Sequence, residues 1–352
     1  MPLVSGPPVG LDIGTSAVRA AQVGSGRGGR TLQAFGQVPL PPGVVVDGEI
    51  RDQGALSEAI AQLFKRIKMP SKRAVIGVAN QRVIVRQLDL PYLEEKELRA
   101  SLRYLVADHI PMPVDDAELD FQAVGEFQTD EGDRMMRVLL VAAGREMVEG
   151  FVGAVAAAGL EPAAVDLTPF AVARAVSAAA RGEVGLAGAE AIVDVGAGVT
   201  NIVVHVGGEP RFVRILLIGG DEVTQALAGE LGLGFEEAEA LKLDLGRAVM
   251  NPQAEAVLER SVGQLVEEIR GSLDYYLSQA DSEPVSQVVV TGGGSLTRGL
   301  LPRLEQILRV PVRVGAPLAE LNYAKSGLTD EQVVQVEPVI AAAVGLAMGA
   351  AS

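Results

Sequence analysis

Apolar residues fall in two rhythms along this chain, and the places where the rhythm changes mark its elements. VGLDI (9–13) and SAVRAAQV (16–23) are apolar runs of strand length on either side of a Gly-Thr turn, and TLQAFGQVPL (31–40) adds another strand before a Pro/Gly-rich turn. In GALSEAIAQLFKRI (54–67) the period becomes helical, with Leu56, Ile60, Leu63 and Phe64 on one side. AVIGVANQRVIVRQLDLP (74–91) returns to strand. EEKELRASLRYLVADHI (94–110) predicts a helix with Leu98, Leu102 and Leu105 on one face. AELDFQAVGEF (117–127) and MMRVLLVAAG (135–144) predict strands, and REMVEGFVGAVAAAGL (145–160) a helix, so this part of the chain has the form of a strand-helix-strand-strand insert.

DLTPFAVARAVSAAARG (166–182) is an Ala-rich helical stretch. EAIVDVGAGVTNIVVH (190–205) then repeats the opening: a strand, an acid, a glycine-rich turn and another strand. Helices are expected over most of 223–280, with a Gly/Pro break near 246–252. SQVVVTGGGSLTRGLLPRLEQIL (286–308) joins a strand, a triple-glycine turn and a helix, and VEPVIAAAVGLAMGA (336–350) predicts a single small-residue helix.

A length of 352 residues suits about two domains of ~100–200 residues each. With aromatic residues at 4% and no Trp, their cores must be built from Val, Leu, Ile and Ala. A net charge of -15 argues against a general nucleic-acid binder, which draws its affinity from Lys and Arg. The absence of Cys removes disulfides, thiolate chemistry and Cys-ligated zinc, and fits a reducing compartment. His109 and His205 are isolated and suit ordinary core or surface positions. No basic segment followed by an apolar run opens the chain, and no apolar stretch reaches the ~18–20 residues of a membrane span, so a cytoplasmic protein is expected. Charge is uneven around the insert: Lys65, Arg66, Lys68, Lys72, Arg73, Arg82 and Arg86 form a run without acids, while 115–133 carries acids alone. Two solvated faces, or the sides of a partner groove, both fit.

Three glycine-rich turns end apolar strands: Asp12-Ile13-Gly14-Thr15-Ser16, Asp194-Val195-Gly196-Ala197-Gly198 and Thr291-Gly292-Gly293-Gly294-Ser295. An Asp at such a place can simply cap the turn. Alternatively, the glycines let backbone amides close on an anion while two carboxylates, one per repeat, hold a hydrated divalent cation against phosphates.

These segments, in this order, resemble the superfamily of actin, Hsp70 and sugar kinase ATPases over nearly the whole chain. GLDIGTSAVRAAQV is similar to its first phosphate motif, IVDVGAGVTNIVVH to its second and VVVTGGGSLTRGL to its adenosine motif. DLTPFAVARAV and PVIAAAVGLAMG are similar to its two connecting helices. The resemblance implies an α/β fold of two ribonuclease-H-like domains that binds ATP and Mg2+. Asp12 and Asp194 would then ligate the metal through water. Gly14, Thr15, Ser16, Arg19, Gly196, Gly198, Thr200 and Asn201 would line the phosphates, with Gly219 and Gly220 approaching from the next helix. Glu239 and Lys242 of FEEAEALKLDLG would reach the adenosine side, as would Gly292, Gly293, Gly294 and Ser295. The implied domains are 1–82 with 160–189, an inserted subdomain 83–159, a second domain 190–337 with a helical part at about 223–284, and a connecting helix 338–352 that packs back on the first domain.

The insert lies between the first phosphate motif and the first connecting helix, as in the cell-division protein FtsA and the PilM family of type IV pilus assembly proteins. LPYLEEKELRASLRYLVADHIPMPVDDAELDFQAV (90–124) resembles the PilM family. FtsA would be expected to continue into an amphipathic tail beyond the last helix. The PilM resemblance implies an ATP-binding scaffold at the inner face of the cell membrane that captures the cytoplasmic N-terminal peptide of a PilN-like protein. A small-molecule kinase and an FtsA-like filament protein are the competing readings. Hydrolysis is expected to be slow or absent, because the first connecting helix begins Leu167-Thr168-Pro169, with Asp166 one step before the place of a water-positioning acid.

Overall fold

In the computed structural model, which describes residues 6–26, 29–67, 69–177, 182, 188–244 and 251–349, the chain folds as two α/β domains that share a helical seam. The first domain starts with β1 (Val9–Ile13), β2 (Ala17–Gly26) and β3 (Gly29–Pro39), then the short hairpin β4 (Val45–Val46) and β5 (Glu49–Ile50), α1 (Gln53–Ile67) and β6 (Arg73–Val78). The insert follows as β7 (Val83–Pro91), α2 (Glu95–Leu105), β8 (Ala117–Gln128) and β9 (Arg134–Gly144). The first domain resumes with α3 (Arg145–Ala157), β10 (Glu161–Leu167) and α4 (Thr168–Val176).

The second domain holds β11 (Ala189–Val195), β12 (Thr200–Val206), β13 (Glu209–Leu216), α5 (Gly220–Leu231), α6 (Phe235–Asp244) and α7 (Pro252–Leu277), then β14 (Val285–Thr291), α8 (Leu300–Leu308) and β15 (Val312–Val314). The last segments are β16 (Leu321–Asn322), α9 (Asp330–Val336) and α10 (Ala341–Gly349). The first sheet runs β10-β6-β1-β2-β3-β16 and the second β13-β12-β11-β14-β15. Each has an antiparallel hairpin beside a parallel strand: β1 pairs with β2 and β6, and β11 with β12 and β14. The internal repeat read from the sequence is therefore a repeat of topology.

Every residue of β1 is buried because both faces of its sheet are covered. Val9, Leu11 and Ile13 join Leu56, Ile60 and Leu63 of α1 in one core, while Gly10 lies under α10. A Cβ on Gly10 would fall 2.1 Å from the Ala343 carbonyl oxygen, so the helix needs glycine beneath it. Ala191, Val193 and Val195 of β11 pack with α5 and α7, and Ile192 points the other way into a core shared with α4 and α10. The two helices between the sheets are thus built of small residues because two sheets and two helices must fit there.

Three expectations need correction. The helix 145–157 does not belong to the insert: Met147, Phe151, Ala154 and Val155 lie in the core of the first domain, so the inserted sheet and helix span 83–144 rather than 83–159. Asp166 and Leu167 end β10, a strand the apolar pattern left unassigned, and the connecting helix begins only at Thr168 with Pro169 in its first turn. The C-terminal stretch is not one helix: α9 and α10 meet through a single turn of 3-10 helix at 337–339 and are bent by 81°. The end of the Ala-rich stretch beyond 177 and most of the break at 246–252 lie outside the described residues, as does Lys68.

The charge runs around the insert also resolve. Asp115 faces Arg103, Asp120 faces Arg99 at 3.4 Å, Glu126 faces Arg134 at 2.7 Å, and Glu118 pairs with Arg145. Arg82 meets Glu49 at 3.2 Å. Four of the eight acids in the run are thus matched by arginines from neighbouring elements on a solvated surface.

Candidate functional site

The two hairpins close in the same way. The Gly14 amide donates to the Ala17 carbonyl at 3.1 Å, and the Gly196 amide to the Val199 carbonyl at 2.9 Å. A Cβ on Gly196 would fall 2.7 Å from the Val199 oxygen, which is why a glycine stands there. The turns then meet: the place for a Cβ on Gly198 is 3.0 Å from the Thr15 hydroxyl. Between them opens a cavity of about 670 Å³. Asp12, Gly14, Thr15, Ser16 and Arg19 line it from one domain, and Asp194, Gly196, Asn201, Gly220, Glu239, Lys242, Gly292, Gly293 and Gly294 from the other. That volume suits one small molecule of nucleotide size.

The third turn backs onto the second. Gly292 has a positive φ of 83°, and a Cβ there would fall 2.3 Å from the Val195 carbonyl oxygen and 2.6 Å from an Asp194 carboxylate oxygen. The start of α5 is tied to the same place, since the Gly220 amide donates to the Gly196 carbonyl and the Asp221 amide to the Ala197 carbonyl, both at 2.9 Å.

Asp12 and Asp194 carry the electrostatics. Asp12 is nearly buried, with the Arg19 guanidinium 3.4 Å away; burial raises its pKa and Arg19 opposes the rise. Asp194 is pushed up to about 6, mainly by burial, with the charge of Asp12 adding to the rise; Asn201 donates to it at 3.0 Å and Arg19 also opposes it. Two buried carboxylates, one of which raises the other across a cleft, form a place for positive charge. Among the described residues three buried side-chain polar atoms lack a partner, and two of them, Arg19 Nε and Asn201 Oδ1, are here. An orphaned donor and an orphaned acceptor in one cavity are what a bound anion and a hydrated cation would satisfy.

Not every expected residue reaches the cavity. Thr200 is fully buried and its hydroxyl donates to the Ile218 carbonyl at 2.7 Å. Ser295 is buried, with its hydroxyl on the Gly292 carbonyl at 2.6 Å. Gly198 packs on Thr15, and Gly219 is held by the Glu222 carboxylate at 2.6 Å. These four shape the turns from behind.

Lys242 lines the cavity but is spent on the protein: it donates to the Gly220 carbonyl at 3.1 Å and the Thr224 hydroxyl at 2.9 Å, and pairs with Glu239 at 2.6 Å. It positions Glu239 more than it offers a free ammonium.

The pattern missed one wall of the cavity, formed by Val45 and Gly48 of the β4-β5 hairpin with Ala79, Phe151 and Thr168. The Asp47-Gly48 pair, both with positive φ, was the available hairpin signal. At the far mouth Phe235, Leu243 and Leu296 expose apolar surface.

Paired hairpin-and-helix domains, with opposed carboxylates and three glycine turns around a cleft, define the class of the actin-like ATPases. A family model described as type IV pilus assembly protein PilM matches residues 10–351. This chain belongs to the PilM family of type IV pilus assembly proteins. It superposes on a chain of a solved PilM-PilN type IV pilus biogenesis complex with a TM-score of 0.86 and 28% identity, over 98% of this chain and 99% of that one. The cell division protein FtsA of Pseudomonas aeruginosa is 27% identical over 384 residues, covering 97% of this chain and 88% of that protein. MreB5 of Spiroplasma citri bound to ADP shares the fold, with a TM-score of 0.51 and 13% identity, over 97% of this chain and 95% of that one.

Proposed function

We propose that this chain is an ATP-binding scaffold of type IV pilus assembly that works at the inner face of the cell membrane by binding the cytoplasmic N-terminal segment of a PilN-like protein. The observation that carries the reading is the end-to-end match to a chain of the PilM-PilN complex, which takes in 98% of this chain and so cannot leave out the insert. Among the described residues no single helix is long and apolar enough to cross a membrane, and a partner would supply the attachment.

In this reading Asp12 and Asp194 hold Mg2+ through water, and the amides of the Gly14 and Gly196 turns face the phosphates. Mg2+ supplies charge neutralisation between carboxylates and phosphates. Arg19 reaches a phosphate, Glu239 accepts from the ribose, and Gly292 to Gly294 admit the adenosine to close backbone contact. Hydrolysis by the isolated chain is slow, for Asp166 is held by Arg174 at 3.1 Å and by its own strand end, leaving Thr168 where a base would have to stand.

The test uses a labelled synthetic peptide from the cytoplasmic N-terminus of a PilN-like protein of the same organism. Fluorescence anisotropy should give a micromolar dissociation constant, about -8 kcal/mol. No binding at a hundredfold higher concentration would overturn the partner assignment.

A further inference from the structure

The topological repeat places one side chain directly opposite each strand-ending carboxylate. Arg19 faces Asp12 across the β1-β2 hairpin and Asn201 faces Asp194 across β11-β12, each seven residues after its acid. The two pairs differ in kind. Asn201 gives a neutral hydrogen bond, Nδ2 to Asp194 Oδ2 at 3.0 Å, and leaves Oδ1 unused. Arg19 brings a full charge, with Nη1 3.4 Å from Asp12 Oδ2 and Nε buried without a partner. Both side chains of the Arg19-Asp12 pair are mostly buried, at 16% and 11% exposure. A charge in that position is costly unless something opposes it.

We infer that Arg19 makes the cleft selective for a cation-nucleotide complex over either component alone, because its guanidinium serves as the counter-ion of the buried carboxylates while the cleft is empty. The inference rests on the nucleotide-binding reading of the cleft. In the empty cleft two carboxylates face one guanidinium. If a divalent cation arrived alone, Asp12 would have to serve two cations, or Arg19 would have to leave the carboxylate it is paired with among the described residues and remain buried and uncompensated. If a polyphosphate arrived alone, Arg19 would turn to it, and Asp12 and Asp194 would face added negative charge with no cation between them. Only when both arrive do all the charges have partners. Arg19 then reaches a phosphate oxygen with Nε as well as its terminal nitrogens, and the carboxylates keep a cation. Asn201 Oδ1 gains a donor in a cation-bound water. A guanidinium suits this exchange because its fork offers Nε and the terminal nitrogens together to the phosphate oxygens.

The experiment titrates the full chain with Mn2+ alone, with ATP in EDTA, and with Mn2+ and ATP together, reading bound Mn2+ from the loss of the free-ion electron paramagnetic resonance signal and ATP by calorimetry. The wild type should bind the combination far more tightly than either part. Arg19→Met, which keeps an unbranched apolar stem, should bind Mn2+ without nucleotide about tenfold or more tightly than the wild type does, and should lose affinity for the combination. Arg19→Lys keeps the charge and should still exclude free Mn2+; it also decides the matter if Arg19→Met does not fold, since admission of free Mn2+ by a folded Arg19→Lys protein contradicts the counter-ion role. Unchanged Mn2+ affinity in Arg19→Met with weaker ATP binding would mean that Arg19 is a phosphate ligand only, and would overturn the inference while leaving the nucleotide reading intact. Failure of the wild type to bind Mn2+ and ATP together would overturn both.

Discussion

Gly345 of α10 lies so close to Ala171 of α4 that a Cβ on it would fall 1.7 Å from the Ala171 carbonyl oxygen. The backbones of the two connecting helices touch at this point, and Arg174 fastens the crossing by donating to the Gly345 carbonyl at 2.7 Å and to Asp166 at 3.1 Å. Gly345→Ala should therefore destabilise the protein by roughly 3 kcal/mol, because neither backbone can give way without moving a sheet. Gly150→Ala, in α3 with open space around it, is the control and should be neutral or stabilising by roughly 0.5–1 kcal/mol. Thermal melts of the two variants compare them directly.

Asp12 and Thr200 separate nucleotide contact from turn architecture. Asp12→Ala should lower the affinity for Mg-ATP by at least about tenfold, ~1.4 kcal/mol, with an unchanged circular dichroism spectrum. Thr200→Val deletes a hydroxyl that, among the described residues, serves the Ile218 carbonyl; it should cost about 1–2 kcal/mol of stability and leave calorimetric ATP affinity within the error of the wild type. A large loss of affinity in Thr200→Val would return Thr200 to the cleft.

What the sequence could say about this site depended on distance along the chain. Asp12, Asp194 and the three glycine turns stand out because each sits at the end of its own apolar run, and the repeat doubles the signal. Thr200 and Ser295 carry the same residue types but point into the protein, and a motif does not reveal which side of a turn a hydroxyl takes. Val45, Ala79 and Phe151 come together only through the fold, so no local pattern announces that wall of the cleft. β10 gives no strand signal because its exposure is mixed and a bulge between Pro162 and Ala164 breaks the alternation. The sequence does not assign α3 to one unit, because its apolar face is equally legible whichever core it meets.

Turnover follows from the same geometry. Thr168 is 7% exposed at the cleft wall, with its hydroxyl 2.9 Å from the place a Cβ on Gly77 would take. A hydroxyl is a poor base near neutral pH, and the nearest acid along the chain, Asp166, is occupied. Phosphate release from ATP by the purified chain should stay close to the uncatalysed background, and Asp166→Asn should leave it there while lowering the melting temperature. Rapid release that Asp166→Asn abolishes would mean that Asp166 swings into the cleft.

The boundary of the insert gives the sharpest test of how the parts are divided. Val83 and Ala143 are paired neighbours on β7 and β9, so the chain enters and leaves the insert at adjacent points that a short Gly/Ser turn can join. Removing 83–144 in this way takes out the small core formed by Leu98, Leu102, Val138 and Leu140 among others, and with it Val83 and Ala143, which the inserted sheet packs into the core of the first domain. The first domain keeps Phe151, Ala154 and Val155 of α3. That protein should fold and bind Mg-ATP, and it should lose the PilN-like peptide, because a cleft beside an inserted sheet is a natural groove for an extended segment. Removing 83–159 instead strips α3 from the first core and exposes the apolar side of α1, so it should give insoluble or molten protein. Circular dichroism, calorimetry and peptide anisotropy on the two deletions distinguish the outcomes. A folded 83–159 deletion would put α3 back in the insert, and peptide binding that survives the 83–144 deletion would move the partner surface onto the two nucleotide-binding domains.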